Sequence, residues 1–149
     1  MRMESFDKSR EGQVWQRVMN PQPAAPREGL RLLRRESLAL AGVYRQIASS
    51  LTGKAGEKAG ILFQEEATTA VCLRGLEVLR GEDGGRLKPL QPAREPTVRL
   101  LQGCYHRTRN CLTEYTARTV DTETGAVFRQ LANRAEQQCA RIAELLGML

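Results

Sequence analysis

Four stretches of the chain place residues at alternating steps of three and four, and this repetition restricts the fold more than any other feature. Leu30, Leu33, Ser37, Leu40, Tyr44, Ile47 and Leu51 form the first seam, and Ala59, Leu62, Glu66, Thr69, Leu73 and Leu76 the second. Val98, Leu101, Tyr105, Thr108, Leu112, Tyr115 and Thr119 form the third; Phe128, Leu131, Ala135, Gln138, Ile142, Leu145 and Leu149 form the fourth. Such stepping keeps all members of a seam on one face of an α-helix. The spacing predicts helices over 27–51, 57–80 and 96–119, and a fourth starting between 121 and 125 and ending near 146. Pro26 and Gly53 bracket the first, Gly81 closes the second, and Asp121 suits the N-cap of the fourth.

The connections decide how four helices can be arranged. Thr52-Gly53-Lys54-Ala55-Gly56 is short enough to make the first two an antiparallel hairpin. From Gly81 to Glu95 glycine and proline are too frequent for a helix. Extended, that segment reaches about 50 Å, against about 36 Å for a neighbouring helix, so it can cross the whole bundle. The expected fold class is all-α: a four-helix bundle over 26–149, built of two hairpins joined by a long crossover. Residues 1–25 read as a separate arm, in which Val14, Trp15, Val18 and Met19 form a small apolar patch before a proline-rich break. Trp15 either anchors the arm on its own domain or supplies a contact to a partner.

A chain of 149 residues that is 41% apolar, 27% charged and only 5% aromatic suits one helical domain. It has neither a transmembrane-length apolar run nor the apolar block of a signal peptide, so the expected location is cytoplasmic, with no membrane partner. The net charge of +6 comes without a nucleic-acid motif or an aromatic stacking platform, so no nucleic-acid partner is expected. Arg27, Arg31, Arg34 and Arg35 read as one solvated helix face. Cys72, Cys104, Cys111 and Cys139 contain no C-x-x-C and read as buried or half-buried thiols.

Each seam is polar in its middle, at Ser37, at Glu66 and Thr69, at Thr108, and at Gln138 beside Ala135. Glu66 stands out, because a carboxylate facing a core is costly unless it is paired, hydrogen-bonded or bound to a cation. The halves also echo each other at an offset of about 70 residues: Ser37 precedes Tyr44 as Thr108 precedes Tyr115, and Glu66 and Thr69 match Ala135 and Gln138.

Tyr44-Arg45-Gln46-Ile47-Ala48, Phe63-Gln64-Glu65-Glu66-Ala67-Thr68-Thr69-Ala70, Cys104-Tyr105-His106-Arg107 and Phe128-Arg129-Gln130-Leu131-Ala132 resemble the ferritin-like superfamily, and within it rubrerythrin-like proteins. The resemblance covers roughly 27–149 and implies ferritin-like connectivity. It also implies a di-iron site, with one Glu from each of two helices and a Glu-x-x-His from each of the others. Those six ligand positions fall on Ser37, Glu66, Thr69, Thr108, Ala135 and Gln138, with Tyr44 and Tyr115 flanking them, and only Glu66 is retained. Moving Glu36, Glu114 or Glu136 inward would turn its helix by about 100° per residue and expose the seam leucines. His106 lies off the seam and reads as a surface residue.

The resemblance therefore implies a degenerate di-iron site, no catalytic residues, no cofactor, and a binding or assembly role as a homo-oligomer, the arm with Trp15 being one possible contact. The alternative is an iron- or manganese-binding oxidoreductase or peroxidase-type protein. Its rearranged site would use Glu66 with Gln138, Tyr44, Tyr115 and Glu36 or Glu114. A small apolar-ligand pocket in the bundle centre is a third reading. The rubredoxin-type C-x-x-C pairs of full-length rubrerythrins are absent, which weakens any redox role for the thiols.

Overall fold

The computed structural model describes residues 27–82, 85–88, 91 and 93–149, and the arm with Trp15 lies outside them. Four helices account for most of the described chain: α1 Arg27–Ser50, α2 Gly53–Leu79, α3 Thr97–Ala117 and α4 Gly125–Met148. The described residues are all-α, with no strand. Among them no helix is long and apolar enough to cross a membrane. α1 packs most extensively on α2 and α3 on α4, while smaller α1–α3 and α2–α4 contacts join the pairs. One core takes residues from all four, as a four-helix bundle requires.

α2 begins four residues earlier than its spacing predicts. Gly53 has φ 62°, which turns the chain straight from Thr52 into the helix, so only Leu51 and Thr52 separate α1 from α2. Gly56 lies so close to α1 that an added Cβ would stand 2.7 Å from the Leu51 carbonyl oxygen. Glycines that read as a connection thus form a tight first turn.

At α4, Thr124 occupies the N-cap in place of Asp121. Asp121 Oδ2 instead accepts hydrogen bonds from the Thr124 N–H at 3.0 Å and from the Thr124 hydroxyl. A Cβ on Gly125 would sit 2.4 Å from the Thr119 carbonyl oxygen, a backbone atom that cannot swing away. Gly125→Ala should therefore cost about 1–3 kcal/mol in a urea titration, despite its better helix propensity. A neutral or stabilising result would show that the 117–125 turn relaxes freely.

The seams of α1, α2 and α4 are buried as expected, apart from half-buried Leu51 and exposed Leu149. α3 is turned slightly. Its buried stripe is Leu101, Cys104, Thr108, Cys111 and Tyr115, while Tyr105 and Leu112 are half-buried and Val98 is exposed. Two stripes of the same period overlap on this helix, sharing Leu101, Thr108 and Tyr115. The bundle buries the one with small thiols, and Tyr44 lies beside Thr108 on that face.

The arginine cluster also needs correction. Arg34 does not belong to a solvated face: it is buried, and its Nε donates to Glu77 Oε2 at 2.5 Å. Arg34 Nη2 donates to the Gly85 carbonyl at 2.9 Å, and Arg74 Nη1 donates to the same oxygen at 3.1 Å. Farther along α1, the Gln46 side-chain amide donates to the Ala93 carbonyl at 2.6 Å and accepts from the Ala93 N–H at 3.2 Å. The crossover is thereby fastened to α1 at two points roughly 18 Å apart along the helix axis.

Candidate functional site in the bundle centre

The four polar seam centres all turn inward. Ser37, Glu66, Thr69, Thr108, Ala135 and Gln138 are buried, as are Tyr44 and Tyr115. α1 brings Ser37 to α2, where its hydroxyl stands 2.5 Å from Glu66 Oε2 and 3.2 Å from the Glu66 carbonyl oxygen. α1 also reaches α3, where the Tyr44 and Thr108 hydroxyls share a hydrogen bond of 3.2 Å. Arg134 of α4 donates to the Thr69 hydroxyl at 2.9 Å, and that hydroxyl donates to the Glu65 carbonyl at 3.1 Å. Tyr115 packs on Phe128 with ring centroids 6.3 Å apart.

The Tyr115 hydroxyl and Gln138 Nε2 make no well-aligned hydrogen bond among the described residues, although Tyr115 lies beside the Cys111 thiol and Gln138 beside Glu66. The Gln138 amide lies near enough to Glu66 to favour its charged form. Burial acts the other way and dominates, pushing the Glu66 carboxyl from 4.5 up to about 7 against the Ser37 hydrogen bond, the nearby Gln138 amide and the charge of Arg134. A neutral carboxyl also suits the geometry. Its Oε2–H can donate to the Ser37 hydroxyl, which can in turn donate a hydrogen bond to the Glu66 carbonyl oxygen.

Burial also disfavours ionisation of the thiols and of the two core tyrosines. Burial pushes Cys104 and Cys111 up to about 12, and raises Cys72 and Cys139 to a smaller degree. It lifts Tyr44 and Tyr115 well above the ordinary phenol value. None of the thiols offers a ready thiolate at neutral pH. All four are free; Cys104, Cys111 and Cys139 are buried and Cys72 is half-buried.

The carboxylates that could rotate inward are engaged elsewhere. Glu36 pairs with Arg107 through contacts of 2.5 and 3.0 Å, tying α1 to α3. Glu114 receives Arg118, the residue that caps α3, at 2.6 Å, and Glu136 is exposed. His106 is exposed and meets Tyr105 edge-on. Among the described residues no group of three or more His, Cys, Asp or Glu side chains is placed to hold a metal ion. Two grooves, of about 630 and 500 Å³, lie on the outer faces of α1, away from the centre.

The pair absent from the sequence reading is Arg34 and Glu77. Its signal was present: each follows a seam leucine, Leu33 or Leu76, by one residue, and the two charges are opposite. Compared with family models, curated proteins and solved structures, the chain shows no match.

Proposed function

We propose that the chain is a rubrerythrin-like member of the ferritin-like superfamily, with two antiparallel hairpins and a crossover, that has given up dimetal chemistry for a binding or assembly role. The observation that carries this reading is the Ser37–Glu66 hydrogen bond. The one retained carboxylate is bound by the residue standing in another ligand's position. The donor set supports it too. Ser37, Thr69 and Thr108 offer neutral hydroxyls, Gln138 an amide and Ala135 nothing, so a pair of iron ions would meet a single carboxylate and no imidazole. These residues do not fit a di-iron centre. The partner on this reading is a second copy of the chain, in the cytoplasm, and native mass spectrometry reads the assembly directly.

A second reading has one observation in its favour: Tyr115 and Gln138, whose hydroxyl and side-chain carbonyl oxygens can ligate a cation, are buried in the same layer as Glu66. A single cation on a rearranged site would draw on these groups. Metal analysis of the purified full chain separates the readings. The expected result is iron and manganese far below one ion per chain and unchanged in Glu66→Gln. Near-stoichiometric metal that vanishes in that variant would overturn the assembly reading in favour of the metal protein.

A further inference from the structure

The outer face between α1 and α2 carries a groove of about 500 Å³ that the polar centre does not use. Its floor is made of small residues, Ala41, Gly42, Ala67 and Ala70, between Leu38 and Val71. Leu38 is 41% and Val71 73% exposed, and a Cβ on Gly42 would meet nothing within 4 Å. Phe63, Arg34, Arg45 and Arg74 complete the lining, so the groove is apolar with basic residues along it. An apolar trough floored by alanine and glycine fits one flat, bulky side chain better than a row of branched ones.

The chain supplies such a side chain at a matching distance. At 100° per residue, Glu11, Val14, Trp15, Val18 and Met19 fall within an arc of about 140° on a helix, so an acidic residue lies among the apolar ones. Asn20 to Pro26 follows, with Pro21, Pro23 and Pro26 favouring an extended course. At about 3.1 Å per residue this linker spans about 22 Å, which along α1 equals the rise of about 14 residues. Folded back from Arg27, it reaches as far as position 41 or so; with Met19 beside position 37, an antiparallel helix rising about 1.5 Å per residue puts Trp15 beside position 41 and Glu11 beside position 45, at the groove.

We propose that Glu11–Met19 seats in this groove within the same chain, Trp15 lying over the small-residue floor and Glu11 facing Arg45. A short tether keeps the segment at millimolar effective concentration, so its own groove fills before that of another copy. The arm then masks an apolar face that would otherwise be open to other proteins. This inference does not depend on whether the bundle centre binds metal.

Trp15 is the only tryptophan, so selectively excited tryptophan emission reports the arm alone. The full chain should emit to the blue of the urea-unfolded chain and resist acrylamide quenching, independently of protein concentration and with monomer present by native mass spectrometry. Val71→Glu and Ala67→Arg, each with an unchanged helical circular dichroism spectrum, should shift the emission red and restore quenching. Val120→Glu, at a site 74% exposed and remote in sequence from the groove helices, should leave both unchanged. Wild-type emission like that of the unfolded chain would overturn the proposal, as would blue emission insensitive to both groove variants. A blue shift that develops only as dimers form would assign the groove to the arm of a second copy and overturn the intramolecular form.

Discussion

Glu66→Gln should make the protein more stable at pH 8 than the wild type, by about 1–3 kcal/mol, and leave it within about 1 kcal/mol at pH 4.5. The sign follows from the direction of the shift. Burial raises the Glu66 carboxyl from 4.5 in the open chain to about 7 in the folded one, so the folded state holds the proton more tightly. Stabilisation from that proton is fully present below the unfolded value and is lost as pH rises through about 7. One unit of pKa corresponds to about 1.4 kcal/mol, which puts the upper limit of the loss near 3 kcal/mol. An amide stays neutral throughout, and its oxygen can still accept from the Ser37 hydroxyl. Urea titrations at the two pH values measure the difference. A variant clearly less stable at pH 8 would mean that the charged carboxylate is held by a cation or by donors not seen among the described residues, and the metal-free reading would fall with it.

The heptad-like stepping made the helices and the polar centre legible because a 3,4 pattern fixes which residues share a face, whatever the neighbouring helices do. All eight inward positions, from Ser37 to Gln138 with both tyrosines, are buried on that basis. α3 resisted the same treatment. It carries two stripes of equal period, and the choice between Tyr105 with Leu112 and Cys104 with Cys111 depends on what the facing helices present across the interface. One helix's sequence does not contain that information. The Gly53–Gly56 turn was hidden for a related reason, since a glycine that breaks a helix and one that lets a helix start against its neighbour look alike until the close approach at Leu51 is seen.

Arg34 and Glu77 bring out a different limit. Charge statistics place an arginine within a basic cluster on the solvated face, and for exposed Arg35 that holds. Arg34 goes inside because two acceptors converge on it, the Glu77 carboxylate from α2 and the Gly85 carbonyl from the crossover. Neither is local in sequence. A charge one residue beyond the seam lies at the edge of the core, and whether it turns in depends on its partners across the interface.

That burial makes the pair the most sensitive ionic contact in the structure. Removing one partner, by Glu77→Ala or Arg34→Met, should cost about 3–5 kcal/mol, because the surviving charge is left desolvated. Glu77 is wholly buried and the Arg34 side chain is 7% exposed, so water cannot readily replace the lost partner. Replacing both, as Arg34→Met with Glu77→Leu, should recover most of the loss or exceed the wild type, since apolar atoms then fill the same space without desolvation. The Gly85 tether behaves differently, because either variant that lacks Arg34 loses the guanidinium bridging α1 to the crossover. Hydrogen exchange at residues 85–88 should accelerate in the double variant even where global stability is restored. Single variants costing less than about 1 kcal/mol would show that the pair is solvated in solution and that its desolvation does not govern stability.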